Sequence, residues 1–515
     1  MVFRSPWPDI AVPSCSICDE ILGVASHLGD KPAVIESETG RILTYHELIQ
    51  GSGRVAAGLS RAGLQPRQPL AVALPNCIDF VLAWYGALRL GAWVVPMNPL
   101  YTPAEMEMQI RDSGARYLLT IPERAGALEH AVDHVFAAEG NWNEIVECSA
   151  PAPSVRSSAE DLAIMPYSSG TTGKPKGVML THFNIVANFR QMYAADFFSR
   201  DDLMVNTAPF YHVVGAISFL NGLLSIGATI VLLRRYDLER WLALNEQYHA
   251  TAMFAAPPVV LAITKSPLWD RFRLQSIKSV FSGAAPLGTD LHKAFEERTG
   301  LVLRLGYGMT EATAAISMTP NDPAKRKFGG SGYLLPSCEA RVIDVANGRE
   351  LGPSETGEIW LRGPVTMKGY WNQPSATEES FPGDGWMRTG DIGHFDADGY
   401  VFLVDRLKEF IKYNALQVSP AELEDILQSH PAVQDAAVVG APDEAAGEIP
   451  MAFIVRKEKA ALGAGEIMEY VAARVAPYKK IRAVEFVDQI PKSPAGKILR
   501  RVLREGLRTR HATSS

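Results

Sequence analysis

Along the first four hundred residues, short apolar runs alternate with stretches patterned like helices. The runs are PLAVAL at 69–74, WVVPM at 93–97, TIVLL at 229–233 and KSVFSG at 278–283. FVLAWYGALRLG at 80–91 lies between two of them and predicts a helix. This alternation predicts α/β layers built on largely parallel strands. The stretch Val213 to Leu233 has no charge and is long enough to span a bilayer. Asn221, Gly222 and Gly227 interrupt it, and GATIVLL ends it like a buried strand, so a buried helix followed by a core strand is expected and no membrane span.

The last hundred residues follow a different pattern. DADGY at 396–400 predicts a hairpin turn ahead of the apolar run VFLV. Ser419 is placed as an N-cap, Pro420 as the first helical position and Glu422 as the partner that completes a capping box. DAAVVG and AFIVR predict short strands, with a helix near 465–475. The pattern is that of a small α+β domain following a large α/β one, with the boundary near 404–409.

A chain of 515 residues is longer than one hydrophobic core usually serves, which fits two domains. Its 47% hydrophobic and 21% charged residues are globular composition. A net charge of −7 argues against a general nucleic-acid binder, but leaves room for a local anion site. Five cysteines, an odd and sparse set, do not form a disulfide framework and fit a reduced, cytoplasmic setting. Cys15 and Cys18 form a lone C-x-x-C with no second pair to complete a zinc site.

The segment Tyr167-Ser-Ser-Gly-Thr-Thr-Gly-Lys-Pro-Lys-Gly-Val178 gathers three glycines, four hydroxyl residues (Ser168, Ser169, Thr171, Thr172) and two lysines in one loop after the run LAIM. Glycines let backbone N–H groups approach phosphate oxygens, and hydroxyl and ammonium groups add donors and charge. Pro175 stands where the spacing of a Walker A loop needs glycine, so this is a different phosphate loop.

The loop resembles the signature of the AMP-forming acyl-adenylating enzymes, which include acyl-CoA synthetases, peptide-synthetase adenylation domains and beetle luciferases. The resemblance runs in order from LTYHEL at 43–48 to PKSPAGKILR at 491–500 and is nearest to the 4-coumarate–CoA ligase branch. It implies a large multi-sheet N-terminal domain, 1–407, that binds ATP and the acid, and a small mobile catalytic domain, 408–515. It implies ATP, Mg2+ and coenzyme A as cosubstrates and cofactor, and a small-molecule carboxylic acid as partner. Nucleotide contacts fall on Ser168, Ser169, Gly170, Thr171, Thr172 and Lys176, on Gly283 and Ala284, on Gly306, Tyr307, Gly308 and Thr310, and on Asp391, Arg406, Lys408 and Gln417. Tyr307 would flank adenine, Thr310 the AMP phosphate, and Asp391 with Arg406 the ribose. Glu311, with Thr171, would hold the metal. Lys497 would be the adenylation lysine, His212 would stand between acid and nucleotide, and Lys412 would join them in catalysis. His212, Val213, Val214, Ala284, Leu305, Gly306 and Met318 would form the acyl pocket, which is apolar enough for an aryl, terpenoid or fatty acid.

Two departures stand out. DRLKEFIKYNALQV at 405–418 carries Asn414-Ala415 where the close relatives have Lys-Gly, beside the pantetheine tunnel to which Arg235 is also assigned. Leu305 replaces a glutamine. These changes leave three readings: an acyl-CoA synthetase, an enzyme that hands its adenylate to another enzyme or carrier, and a nucleotide-binding protein without turnover. Intact Lys497, Glu311 and Asp391 speak against the third. By resemblance, an amino-acid-activating domain carries an aspartate just after this motif, where Val213, Val214 and Gly215 stand, so a free amino acid is not the expected acid.

Overall fold

Strands that bury both faces must be covered by helices on either side, and the predicted apolar runs take up that position. The computed structural model describes residues 1–512 apart from 169–174, 286, 415, 444–445, 459–461 and 494–495, with side chains through Leu507. It is a mixed α/β protein with a large N-terminal and a smaller C-terminal domain.

Pro69–Ala73 lies between the parallel strands Trp93–Pro96 and Tyr117–Thr120 in one sheet. In a second sheet, Pro32–Glu36, Thr229–Leu232, Leu203–Asn206, Ala252–Phe254, Ser279–Ser282 and Leu303–Gly308 run parallel in that spatial order. Helix Ile78–Arg89 covers the expected segment and packs Phe80 and Trp84 into the large core with Phe210 and Phe219. Thr44, Thr102 and Thr181 cap their helices through complete capping boxes. The uncharged stretch is buried as expected, but it begins as a π-helix, Val214–Asn221, before a short α turn and strand Thr229–Leu232. Among the described residues no helix is long and apolar enough to cross a membrane.

A third, antiparallel sheet links the domains. DADGY is the turn between Met387–Phe395 and Val401–Arg406, with Asp391 directly opposite Arg406. The chain turns at 407–409, and Ile411–Tyr413 opens the sheet of the small domain. DAAVVG and AFIVR sit inside longer strands, Val433–Asp443 and Gly447–Arg456, which pair as one hairpin. Helix Pro420–Gln428 packs on it together with Ala464–Ala472.

The capping box at Ser419 is only half formed. Ser419 accepts the Glu422 N–H at 3.3 Å, but the Glu422 carboxylate takes Lys479 Nζ at 2.8 and 2.7 Å instead of the cap N–H. The Ser419 hydroxyl in turn donates to Asp405 Oδ2 at 2.8 Å, which ties the helix start to the inter-domain strand. A tertiary ion pair outcompetes the local box because Lys479 offers a full charge where the backbone offers a dipole.

The small domain rests on the large one through close backbone approach. Gly496 has φ +81°, and a β-carbon there would lie 2.9 Å from Pro258 Cδ. Beneath this contact a buried ion pair joins helix Pro420–Gln428 to the C-terminal helix. Arg500 donates through Nη2 to Glu424 Oε2 at 2.6 Å and through Nε to Oε1 at 3.2 Å, and Val438 N–H reaches Oε1 at 2.8 Å. Both side chains are under 10% exposed. Glu424→Ala is therefore expected to strand a buried guanidinium and destabilise the small domain by about 3–5 kcal/mol. Hydrogen exchange across 433–456 measures it, and wild-type protection there would contradict the assignment.

Candidate active site

A cavity of about 460 Å³ lies where the C-terminal ends of two parallel strands face the inter-domain strand and the C-terminal segment. Strand Ser279–Ser282 delivers Gly283 and Ala284, and strand Leu303–Gly308 delivers Leu305, Gly306, Tyr307 and Gly308. Open α/β sheets bind ligands at such strand ends. Gly308 is required there by space, since a β-carbon would lie 1.6 Å from the Ala314 carbonyl oxygen as the chain folds back. Ala284 holds φ +69°, a left-handed conformation alanine adopts only under constraint. Ser282 Oγ is buried without a hydrogen-bond partner among the described residues.

Asp391 is the acidic centre. Its carboxylate accepts from Tyr307 OH at 2.7 Å and forms an ion pair with Arg406, whose Nε lies 2.9 Å away, and it is 5% exposed. Burial and the Asp391 charge push the Tyr307 phenol well above its ordinary pKa, so it stays a donor. The same carboxylate raises the Arg406 pKa.

Two further cations, Lys497 and Lys408, stand near this pair. Burial first, then Arg406 and Lys408, push the Lys497 ammonium down to about 8. Burial and Arg406 also lower Lys408. The nearest counter-charge, Glu409, is already held by Arg504 at 3.0 Å. Burial, with Lys497 adding to it, pushes His212 down to about 4, so the imidazole is neutral at physiological pH. Val214 N–H donates to its Nδ1 at 3.3 Å, which assigns the proton to Nε2.

A second cluster brackets residues 169–174. Ser168 Oγ and Tyr370 OH both donate to Glu311 Oε1, at 2.8 and 3.0 Å. Lys176, buried, places Nζ 4.8 Å over the Tyr370 ring.

The expected residues therefore separate into groups. Ala284, Leu305, Gly306, Tyr307, Asp391, Arg406 and Lys497 line one cavity. Ser168, Lys176 and Glu311 form the second cluster, and Thr310 lies in the short helical turn beside Glu311. Val213 and Met318 are 3% and 2% exposed, belong to the core and do not line the cavity, because Met318 packs under Gly306. Lys412, Asn414 and Gln417 are exposed on the hairpin Ile411–Val418, outside the cavity, and Arg235 is exposed on a loop. Asn414 forms the hairpin turn at φ +48°, a conformation asparagine tolerates better than most residues. Ser169, Gly170, Thr171, Thr172 and Ala415 lie outside the described residues. Sequence reasoning does not single out Tyr370, Glu409 or Arg500. Nothing in KGYW at 368–371 separates Tyr370 from an ordinary turn tyrosine.

Comparison with known proteins places this geometry. Residues 23–371 match the family model described as AMP-binding enzyme, and residues 422–497 match the AMP-binding enzyme C-terminal domain. A 4-coumarate–CoA ligase of Solanum tuberosum is 39% identical over 98% of this chain and 97% of its own length. ATP-bound MatB from Rhodopseudomonas palustris is 28% identical, with TM-score 0.88 over 95% of this chain and 99% of its own; its apo form gives 0.77 over 96% and 99%. The anthranilate CoA ligase AuaEII in complex with anthranoyl-AMP is 26% identical, with TM-score 0.88 over 98% and 99%.

The depressed Lys497 pKa has a direct test. A lysine lowered from 10.5 to about 8 is an ammonium below that pH and a neutral amine above it. Arg406→Gln removes a neighbouring cation, so the Lys497 midpoint is expected to move up. NMR titration of isotopically methylated lysines in the nucleotide-free protein reads both values. A midpoint near 10.5 in the wild type would refute the crowded-cation picture.

Proposed function

The chain belongs to the AMP-binding enzyme family, and from that premise we propose that it activates a carboxylic acid with ATP and then transfers the acyl group to a thiol, that of coenzyme A. It is an acid–thiol ligase of the AMP-forming type. The observation that carries the reading is the meeting of Lys497, Arg406 and Asp391 in one cavity, where Arg406 pairs with Asp391 and crowds the Lys497 ammonium.

In the first half-reaction, a carboxylate oxygen of the acid attacks the α-phosphorus of ATP. The bond from that phosphorus to the bridging oxygen breaks, and pyrophosphate leaves with the electron pair. Lys497 stabilises the charge that builds on the α-phosphoryl oxygens and on the attacking carboxylate. Asp391 has lone pairs left after accepting from Tyr307 and pairing with Arg406, and these receive the two ribose hydroxyls. Tyr307 covers the adenine. Neutral His212, with its proton on Nε2, donates between the acyl pocket and the nucleotide without adding charge. Ser168 and Lys176, with Ser169, Gly170, Thr171 and Thr172, hold the phosphates. In the second half-reaction the thiol loses its proton, its sulfur attacks the acyl carbonyl, and AMP leaves.

Among the described residues no group of three or more His, Cys, Asp or Glu could hold a metal ion. Glu311 is a single carboxylate beside the phosphate segment. One carboxylate suits Mg2+, which keeps waters and takes its other ligands from phosphate. When bound, Mg2+ neutralises charge on the triphosphate.

The placement of Lys497 supports an adenylating arrangement, as does the higher similarity to ATP-bound than to apo MatB. Lys412, Asn414, Ala415 and Gln417 then belong to a face that turns in for thioester formation by rotation about 404–409, with domains 1–407 and 408–515. The acyl pocket, with Val214, Ala284 and Leu305, suits an aryl, terpenoid or fatty acid. A second reading, in which the adenylate passes to another enzyme or carrier, is favoured by Asn414 on the thiol-side hairpin.

Mass spectrometry for acyl-AMP and acyl-CoA over a panel of acids separates the two readings. Lys497→Ala is expected to lower pyrophosphate release by about 100-fold or more while ATP binding persists. Near-wild-type release from a folded variant would remove Lys497 from the chemistry. Asp391→Ala deletes charge-assisted bonds to the ribose, each worth roughly 1.5–3 kcal/mol, so the ATP KM should rise about tenfold or more. An unchanged KM would show the ribose assignment to be wrong.

A further inference from the structure

Residues 169–174 are flanked by strands that share a third partner. Ser168 lies opposite Lys176 at the two ends of the segment, and Val178 on the same strand lies opposite Tyr370. Strand Gly369–Tyr370 is held from behind, since Tyr370 N–H donates to Thr377 Oγ1 at 2.9 Å. From this scaffold two hydroxyls reach a single oxygen of Glu311, Ser168 Oγ at 2.8 Å and Tyr370 OH at 3.0 Å, both to Oε1. Glu311 Oε2 accepts no hydrogen bond among the described residues. The Tyr370 ring lies under the Lys176 ammonium at 4.8 Å, within cation–π range.

We propose that Tyr370 is a positioning residue: its hydroxyl, together with Ser168, turns the Glu311 carboxylate so that Oε2 is presented to the divalent cation that accompanies the triphosphate, while its ring holds Lys176 on the same strand pair. A carboxylate rotates freely about its last bond, and two donors on one oxygen remove that freedom. Hydrogen-bond partners of a metal-binding carboxylate set its orientation and affinity in this way. Tyr370 thereby couples the metal carboxylate to the base of the phosphate segment. The inference rests on the reading of Glu311 as the metal carboxylate.

The test is calorimetric titration of Mg2+ into the full-length protein with a saturating ATP analogue that cannot be cleaved between the α and β phosphates. Tyr370→Phe keeps the ring under Lys176 and removes only the hydroxyl. It is expected to weaken the Mg2+ midpoint by about tenfold, within the range for loss of such a partner, with turnover largely recovered at high Mg2+. Ser168→Ala, which leaves the phenol intact, should shift the midpoint in the same direction and keeps the test available should Tyr370→Phe fold poorly. Tyr370→Leu, which also loses the ring, should add a loss of analogue affinity that Mg2+ does not restore. Glu311→Gln separates the two levels of the argument. A Glu311→Gln titration that matches wild type overturns the metal reading itself. A shift in Glu311→Gln with none in Tyr370→Phe overturns this inference alone.

Discussion

The crowding of cations around Lys497 where the two domains meet is the constraint on which the rest of this structure depends. Lys497, Lys408 and Arg406 approach one another near a single carboxylate, Asp391, while Glu409 is engaged by Arg504. Desolvating ammonium groups next to like charges is unfavourable, and burial with Arg406 and Lys408 lowers the Lys497 pKa accordingly. An anion entering the cavity relieves it. The close approach of Gly496 to Pro258 places Lys497 at this meeting of the domains.

The large domain supplies a rigid frame for this charge. Arg304, 1% exposed, sits one residue before Leu305 on the strand that ends in the site. Its guanidinium lies over the rings of Phe197 and Phe281 and donates to the carbonyls of Thr319 and Asp196 at 3.0 and 2.8 Å. Thr319 Oγ1 in turn bonds both the N–H and the carbonyl of Leu305 at 3.1 Å. A strand fastened this way leaves Tyr307 and Gly308 little freedom at its end, and a binding group that does not move loses little entropy when its ligand arrives.

Where local pattern and final structure part, a tertiary partner is the reason. Glu422 has the spacing for a capping box but meets Lys479. Met318 has the character of a pocket wall but packs beneath Gly306. Lys412 and Gln417 stand in a motif with Arg406, yet the strand pairing of their hairpin turns them to solvent while Arg406 lines the cavity. A motif states which residue types occur together. It does not state which face of a small domain is presented to its neighbour, since that depends on the rotation of the whole domain.

The sequence by itself determined the elements and the chemistry available. The apolar runs became parallel strands, FVLAWYGALRLG became a helix, and the ordered motifs carried the family. These were legible because strand and helix period, turn residues and phosphate-loop composition act over a few neighbouring residues. Only the tertiary structure decided that Asp391 is buried between Tyr307 and Arg406, that His212 is neutral, that Lys497 is crowded by cations, and that Tyr370 and Ser168 share one oxygen of Glu311. Burial, Coulomb interaction and hydrogen-bond geometry belong to neighbourhoods in space, and those neighbourhoods are drawn from strands and loops far apart in the chain.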